Sequence, residues 1–271
     1  MTMNEIRLMA QELRIEVIKM IHQAGSGHSG GSLSSAEILT VLYEKILRIK
    51  PDEPQWPGRD RFVLSKGHAA PALYVALARK GFFDPKELST LRQLDSCLQG
   101  HPCMFKLPGV EMSTGSLGLG ISVGLGMALA AQHTGNLYHV YVLCGDGELQ
   151  EGQNWEALMA AAKWRPQNFT VIIDRNHVQL DGTEAQIMPL GDLRAKLEAF
   201  GVNTFCCDGH DVDDLFKTLT AAKEAAPSVI IAETIKGKGV SFMEGQSAWH
   251  GKPINDLDFV NAIKELEEGL R

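Results

Sequence analysis

Short apolar runs alternate with longer stretches of helical period along this chain, and that alternation leaves few architectures open. The runs lie at 61–64, 137–143, 169–174, 203–207 and 228–234, and the helical stretches at 71–80, 85–93, 121–134, 154–163, 190–200, 212–225 and 256–270. Strands separated by helices predict βαβ units, hence a parallel sheet covered on both faces. VYVLC and VIIA are near-continuous apolar runs, as strands buried on two sides require. The predicted fold is therefore α/β, three layers, with a mostly parallel sheet between helices. Ile6, Met9, Leu13, Val17 and Ile21 recur at helical spacing and predict a first helix that stops at Gly25. The Pro-rich stretch 50–58 (KPDEPQWPG) reads as a surface loop and not a linker. With no internal repeat, residues 1–271 are expected to form one module.

Composition narrows the function classes. A net charge of -7 argues against a nucleic-acid or anionic-membrane partner. Charges interrupt the N-terminus too often for a signal peptide, and no apolar run approaches the roughly 18 residues of a membrane span. Five cysteines without a CxxC pair make a poor disulfide framework, so a reducing cytoplasm is expected. The adjacent Cys206 and Cys207 read as two strand residues.

In parallel sheets ligands gather at the carboxyl ends of the strands. At one such end the chain reads Gly145-Asp146-Gly147, and at the next, Asp174-Arg175-Asn176. Thirty residues separate Asp146 from Asn176, about one βαβ unit, so a single crossover brings both to one edge. On its own GDG is a tight turn with Asp146 as a helix cap. Paired with Asn176 and a nearby free backbone carbonyl, it supplies three hard oxygens suited to Mg²⁺ or Ca²⁺, not Zn²⁺. Mg²⁺ is usually shared with phosphates, which the glycines and the following helix N-terminus favour.

GDGELQEG followed by DRNHVQLDG resembles the diphosphate-binding motif of thiamine-diphosphate enzymes, and more narrowly that of transketolases. The resemblance implies that Asp146, Asn176 and the backbone carbonyl of Val178 hold the metal, with Mg²⁺ as cofactor and Ca²⁺ or Mn²⁺ as substitutes. It implies that Gly147 contacts a phosphate and that Leu180 packs near the thiazolium ring. His28, His68, His101 and His250 each adjoin a glycine and match transketolase histidine motifs in the same chain order. Read singly they are turn or capping residues. By resemblance His68 and His250 lie near the diphosphate and reacting carbon, while His28 and His101 bind donor hydroxyls. Imidazole suits both tasks near neutral pH. Gly115 and Leu117 would line the aminopyrimidine. Ser116 and Leu119 depart from the proline and glutamine common in the family, which puts those local contacts in question. Lys236 and Lys238 read either as a solvated loop or as a lysine approaching the diphosphate or a substrate anion. Glu151 and Glu156 resemble carboxylates near the module interface, or a charged helix surface.

The likeness covers about residues 5–255. It matches only the diphosphate-binding module; pyrimidine-binding and C-terminal modules have no counterpart. The resemblance therefore implies the N-terminal subunit of a split transketolase, active with a separate C-terminal subunit in an α₂β₂ heterotetramer. The expected reaction is ketol transfer between sugars or sugar phosphates. Other readings are a subunit of a 1-deoxyxylulose-5-phosphate synthase-like enzyme or 2-oxo-acid dehydrogenase, and a non-catalytic relative.

Overall fold

The computed structural model describes residues 1–136 and 138–270. Helix α1 (Met3–Ala24) is capped reciprocally by Thr2 and Glu5 and ends at Gly25, whose left-handed φ of 63° favours glycine. Ile6, Leu13, Val17 and Ile21 are buried on it, as their spacing predicts. Then follow α2 (Ser29–Ser34), α3 (Ala36–Val41), β1 (Arg61–Leu64), α4 (Ala70–Lys80), α5 (Gly120–Thr134) and β2 (Val140–Gly145). The second half comprises α6 (Gly152–Trp164), β3 (Phe169–Arg175), α7 (Glu184–Ile187), α8 (Leu193–Ala199), β4 (Asn203–Asp208), α9 (Val212–Glu224), β5 (Ser228–Glu233) and α10 (Asp256–Glu268).

The five strands run parallel in the order β1-β2-β3-β5-β4. Both faces of β1, β2, β3 and β5 are covered, while the edge strand β4 keeps exposed residues. Tyr141, Leu143, Ile172 and Ile230 pack into one apolar cluster with α1, α3, α4 and α9. Val140, Val142, Val171, Ile173 and Val229 pack into the other, under α5, α6 and α8. Gly124 lets α5 lie close to β2: a Cβ there would come within 2.4 Å of the Val142 side chain.

Some boundaries differ from the sequence reading. The strand predicted from 137 begins at Val140; Leu137 itself lies outside the described residues. The stretch 85–93 is a 3-10 turn, Pro85–Thr90, not an α-helix, because the chain turns left-handed at Arg92 (φ 59°). Arg92 thereby donates its N–H to Leu98 and extends its guanidinium to His28, 3.3 Å away. The helix predicted from 190 starts at Leu193, after Gly191 turns at φ 64° and Asp192 caps Ala195. Helices α2 and α3 escaped prediction because every residue in them is buried, which erases the amphipathic period. Among the described residues, no helix is long and apolar enough to cross a membrane.

Beneath the sheet, at the N-terminal end of β2, His139 is 5% exposed, with Nε2 2.9 Å from the Thr170 hydroxyl. Burial, set against Asp60, lowers its pKa to about 4. The unfolded chain, near 6.5, takes up this proton first, so stability is full above pH 6.5 and is lost as pH falls from 6.5 to 4. At 1.4 kcal/mol per unit the effect approaches about 3 kcal/mol. Melting curves of His139→Asn should be flatter over that window than those of the parent chain. Parallel curves would show that His139 does not titrate there.

Candidate functional site

The carboxyl ends of β2 and β3 border a cavity of about 200 Å³. Gly145 pairs with Asp174 in the ladder, so Asp146 and Asn176 leave the strands side by side. Asp146, Gly147, Asn176, Val178 and Leu180 all line the cavity. Asp146 is 2% exposed. One carboxylate oxygen accepts the Gly147 N–H at 2.8 Å, capping the turn Gly147–Gln150; the other accepts the His177 N–H at 2.5 Å. The capping reading of GDG is thus seen directly, on a carboxylate held fixed at both oxygens. Asn176 Oδ1 accepts the Val178 N–H at 3.2 Å, while its Nδ2 lies 3.3 Å from Asp174 Oδ2. The Val178 carbonyl accepts from Lys236 Nζ at 2.8 Å. Burial and then the neighbouring Asp174 carboxylate push the Asp146 carboxyl up to about 6. A buried carboxylate, an amide oxygen and a backbone carbonyl form an all-oxygen donor set that fits a hard divalent cation.

Behind these groups lies a charge pair that the sequence reading missed. Lys66 (1% exposed) and Asp174 (0%) form a buried ion pair. Lys66 also donates to Gly31 O at 2.8 Å, and Asp174 accepts from Ser34 at 2.7 Å and from Thr234. Burial raises the Asp174 carboxyl, but Lys66 and these donors bring it below its ordinary range. The pair welds α2, the end of β1 and the end of β3 together. Its sequence signal was slight: one lysine before Gly67-His68 and one aspartate at the end of an apolar run. Glu148 does similar work unforeseen. Buried at 3%, it accepts from Ser65, from Gly118 N–H at 2.9 Å and from Gly145 N–H at 3.1 Å.

The four histidines come from four separate segments and form one connected group of rings, of which two border the cavity. His68 and His250 line it, their rings 4.9 Å apart. His28 lies 5.5 Å from His68, 5.4 Å from His250 and 5.8 Å from His101. Burial, reinforced by Arg92, lowers His28 to about 4. Burial and Lys236 lower His250 to about 3. Burial and Lys66 hold His68 well below its ordinary value, and burial and Arg92 lower His101. All four are therefore neutral at pH 7. Each is a donor on one nitrogen and an acceptor on the other, which suits hydroxyl recognition. A larger cleft of about 710 Å³ opens near Arg48, His139 and Asn168, at the amino ends of the strands. It lies opposite the edge where parallel sheets bind ligands.

Residues 6–267 match the model of the transketolase thiamine diphosphate binding domain. The chain belongs to the transketolase family. It is 41% identical to one of the subunits of apulose-4-phosphate transketolase from Phocaeicola vulgatus, over 100% of this chain and 96% of that one. It is 42% identical to the 6-deoxy-6-sulfo-D-fructose transketolase subunit SqwG of Clostridium sp., covering 97% of each. Campylobacter jejuni transketolase superposes with a TM-score of 0.91 at 35% identity, over 97% of this chain and 43% of that one. The chain likewise spans 41% of human transketolase, with 41% identity.

Other predicted positions are spread through this transketolase-type domain. Leu117 lines the cavity; Leu180 does too, at 61% exposure. Gly115, at φ 142°, packs on the His101 ring, which a Cβ would meet at 3.0 Å. The two lysines part company. Lys236 is 2% exposed, lines the cavity and lies 2.9 Å from His250 Nδ1. Burial and Lys66 lower its pKa to about 8. Lys238 turns away to Glu244, 3.6 Å distant. The solvated-loop reading thus holds for Lys238 alone. Glu151 and Glu156 are exposed, and His177 pairs with Glu233 outside the cavity lining.

Proposed function

We propose that this chain is the diphosphate-binding subunit of a two-chain transketolase, moving a two-carbon ketol unit from a ketose or ketose phosphate to an aldose or its phosphate. The observation that carries this reading is the convergence of Asp146, Asn176 and Val178 with His68 and His250 on one cavity, with His28 and His101 continuing the same group of neutral rings beside it. Asp146, Asn176 and Val178 would hold Mg²⁺, with Ca²⁺ or Mn²⁺ as substitutes, and the metal would hold the cofactor diphosphate. Bound thiamine diphosphate supplies a nucleophilic carbon for cleaving the bond beside a ketose carbonyl.

The chain's own groups do the rest. Lys236 adds positive charge beside the Val178 carbonyl. Gly147 keeps the approach to Asp146 open, since a Cβ there would press on Gln179 at 3.0 Å. Leu117, Gly115 and Leu180 bound the ring-binding part of the site. His68 and His250 face the reacting carbon, and His28 and His101 bind donor hydroxyls and pass protons to and from them. The Lys236 ammonium donates to His250 Nδ1, so His250 presents Nε2–H as a donor.

Residues 1–271 constitute one module, and a separate C-terminal transketolase subunit completes the site in an α₂β₂ heterotetramer. Support for a partner comes from relatives of equal length whose names call them subunits. The exposed Glu151 and Glu156 would face that partner. All five cysteines are free, as in a cytoplasmic protein. The test is to tag the chain in its own host, recover what accompanies it, and assay ketol transfer with thiamine diphosphate and Mg²⁺. The complex should turn over ketoses and the isolated chain should not. Turnover by the isolated chain would refute the split-site reading. Release of CO₂ from pyruvate by the complex would instead favour a synthase or dehydrogenase.

A further inference from the structure

A second group of metal-binding side chains adjoins the first, sharing only Asp146 with it. Asp146, His177 and Glu184 each place one ligand atom so that all three lie within 4.8 Å of one another. His177 and Glu184 do not line the cavity. We infer that these three residues form a separate cation site, suited to a divalent transition ion such as Zn²⁺ or Co²⁺.

Three observations carry this inference. The first is Glu184, 6% exposed at the start of α7. Its Oε1 accepts the Leu190 N–H at 2.9 Å, but Oε2 is buried without a hydrogen-bond partner. That oxygen lies 3.9 Å from His177 Nδ1 and 4.0 Å from Arg175 Nε, which is itself without a hydrogen bond. A buried carboxylate oxygen left in this state is costly, and a cation would satisfy it. The second is the His177 ring. Its Nε2 lies 2.8 Å from Glu233 Oε2, while Arg175 Nη1 holds the other Glu233 oxygen at 3.2 Å. An acceptor carboxylate on Nε2 places the proton there and leaves the Nδ1 lone pair turned toward Glu184. Carboxylate–histidine–metal arrays fix a ligand imidazole in just this manner. The third is the His177 backbone. It adopts φ 61°, a conformation uncommon for a residue with a Cβ, and in it the N–H stays on Asp146 while the ring reaches the same locality.

Ligand chemistry selects the ion. One imidazole nitrogen and two carboxylates favour a first-row transition ion, whereas the all-oxygen set on the cavity side favours Mg²⁺. Metal–ligand bonds of about 2.0–2.2 Å set tetrahedral ligands roughly 3.3 Å apart. The Glu184–His177 gap of 3.9 Å therefore needs to close by only a fraction of an ångström. The site would fasten the segment 177–184 to the end of β2. That segment is a small hairpin, closed by the Val178–Thr183 bridge and the Gln179 N–H to Gly182 O bond, and it carries Val178 and Leu180 to the cavity.

The experiment uses the full chain, stripped by chelator and free of thiamine diphosphate. Co²⁺ is titrated in, followed by its visible absorption, with metal content checked by elemental analysis. The parent chain should bind one Co²⁺ with the bands of a nitrogen-containing site. His177→Ala and Glu184→Gln should each raise the Kd by more than 10-fold, and Glu233→Gln by about 10-fold or more. Asn176→Ala separates this site from the cofactor site. It should keep Co²⁺ binding while losing Mg²⁺-dependent thiamine diphosphate binding in the assembled complex. Circular dichroism verifies that each variant is folded, and His177→Gln stands in if the alanine variant is not. No Co²⁺ binding, or equal binding by parent, His177→Ala and Glu184→Gln, would overturn the inference and leave Glu184 as a partner of Arg175. Loss of Co²⁺ in Asn176→Ala would overturn it too, because the two sites would then be one. Thiamine diphosphate binding by the parent complex, measured alongside, tests the proposed function independently.

Discussion

Asp146→Ala should abolish Mg²⁺-dependent thiamine diphosphate binding, with the Kd rising beyond the 10–100-fold typical of losing an outer metal partner. The carboxylate is the only anion in the proposed ligand set, so no neutral group replaces its charge. Its two oxygens also accept the N–H groups of Gly147 and His177. Alanine therefore leaves two backbone donors short of partners, at about 1–3 kcal/mol each where they stay buried. Asp146→Asn separates the effects, because it retains an acceptor oxygen and removes only the charge. Calorimetric titration of the assembled complex with thiamine diphosphate, with and without Mg²⁺, reads the result. If Asp146→Asn bound the cofactor as tightly as the parent, Asp146 would be a turn cap and nothing more.

The largest effect on folding is expected at the buried ion pair. Asp174→Ala strands the Lys66 ammonium at 1% exposure with one carbonyl acceptor, Gly31 O. Breaking a buried pair from one side costs about 3–5 kcal/mol, a large share of the stability of an ordinary domain. Ser34 and Thr234 lose an acceptor at the same time. The double replacement Lys66→Met with Asp174→Leu removes both charges and should recover most of that loss. Urea denaturation of the two variants against the parent decides the matter, and an Asp174→Ala chain as stable as the parent would show the pair to be dispensable. The pair should also govern acid behaviour. Since Lys66 keeps the folded Asp174 carboxyl below its ordinary range, its contribution is complete above the unfolded pKa of about 4. It is lost as pH falls through the lower folded value. This loss lies on the acid side of the one expected from His139.

The cofactor module was legible because its signals are local. Apolar runs ending in Gly145-Asp146-Gly147 and in Asp174-Arg175-Asn176 mark both the strands and the polar groups at their ends. Parallel pairing then needs only one crossover to set Asp146 beside Asn176, and the ladder does so, with Gly145 opposite Asp174. The glycine-flanked histidines were also legible, though as motifs and not as neighbours. Nothing local says that rings 28, 68, 101 and 250 lie within 6 Å in a connected group.

Period and composition thus fixed a three-layer α/β chain of net negative charge with a glycine-flanked aspartate at a strand end. Only tertiary structure decided which polar residues would be buried, because burial depends on what distant segments cover. Lys66 found Asp174 across 108 positions, Glu148 found Ser65 across 83, and Lys236, not Lys238, turned inward across 58 to the Val178 carbonyl. Packing also silenced the helical period of α2 and α3 by covering them on every side, and it turned 85–93 away from a helix so that Arg92 could reach His28. Local pattern follows the chain's own period, whereas the strength of a charge follows its distance from water, and that distance exists only after the fold has closed.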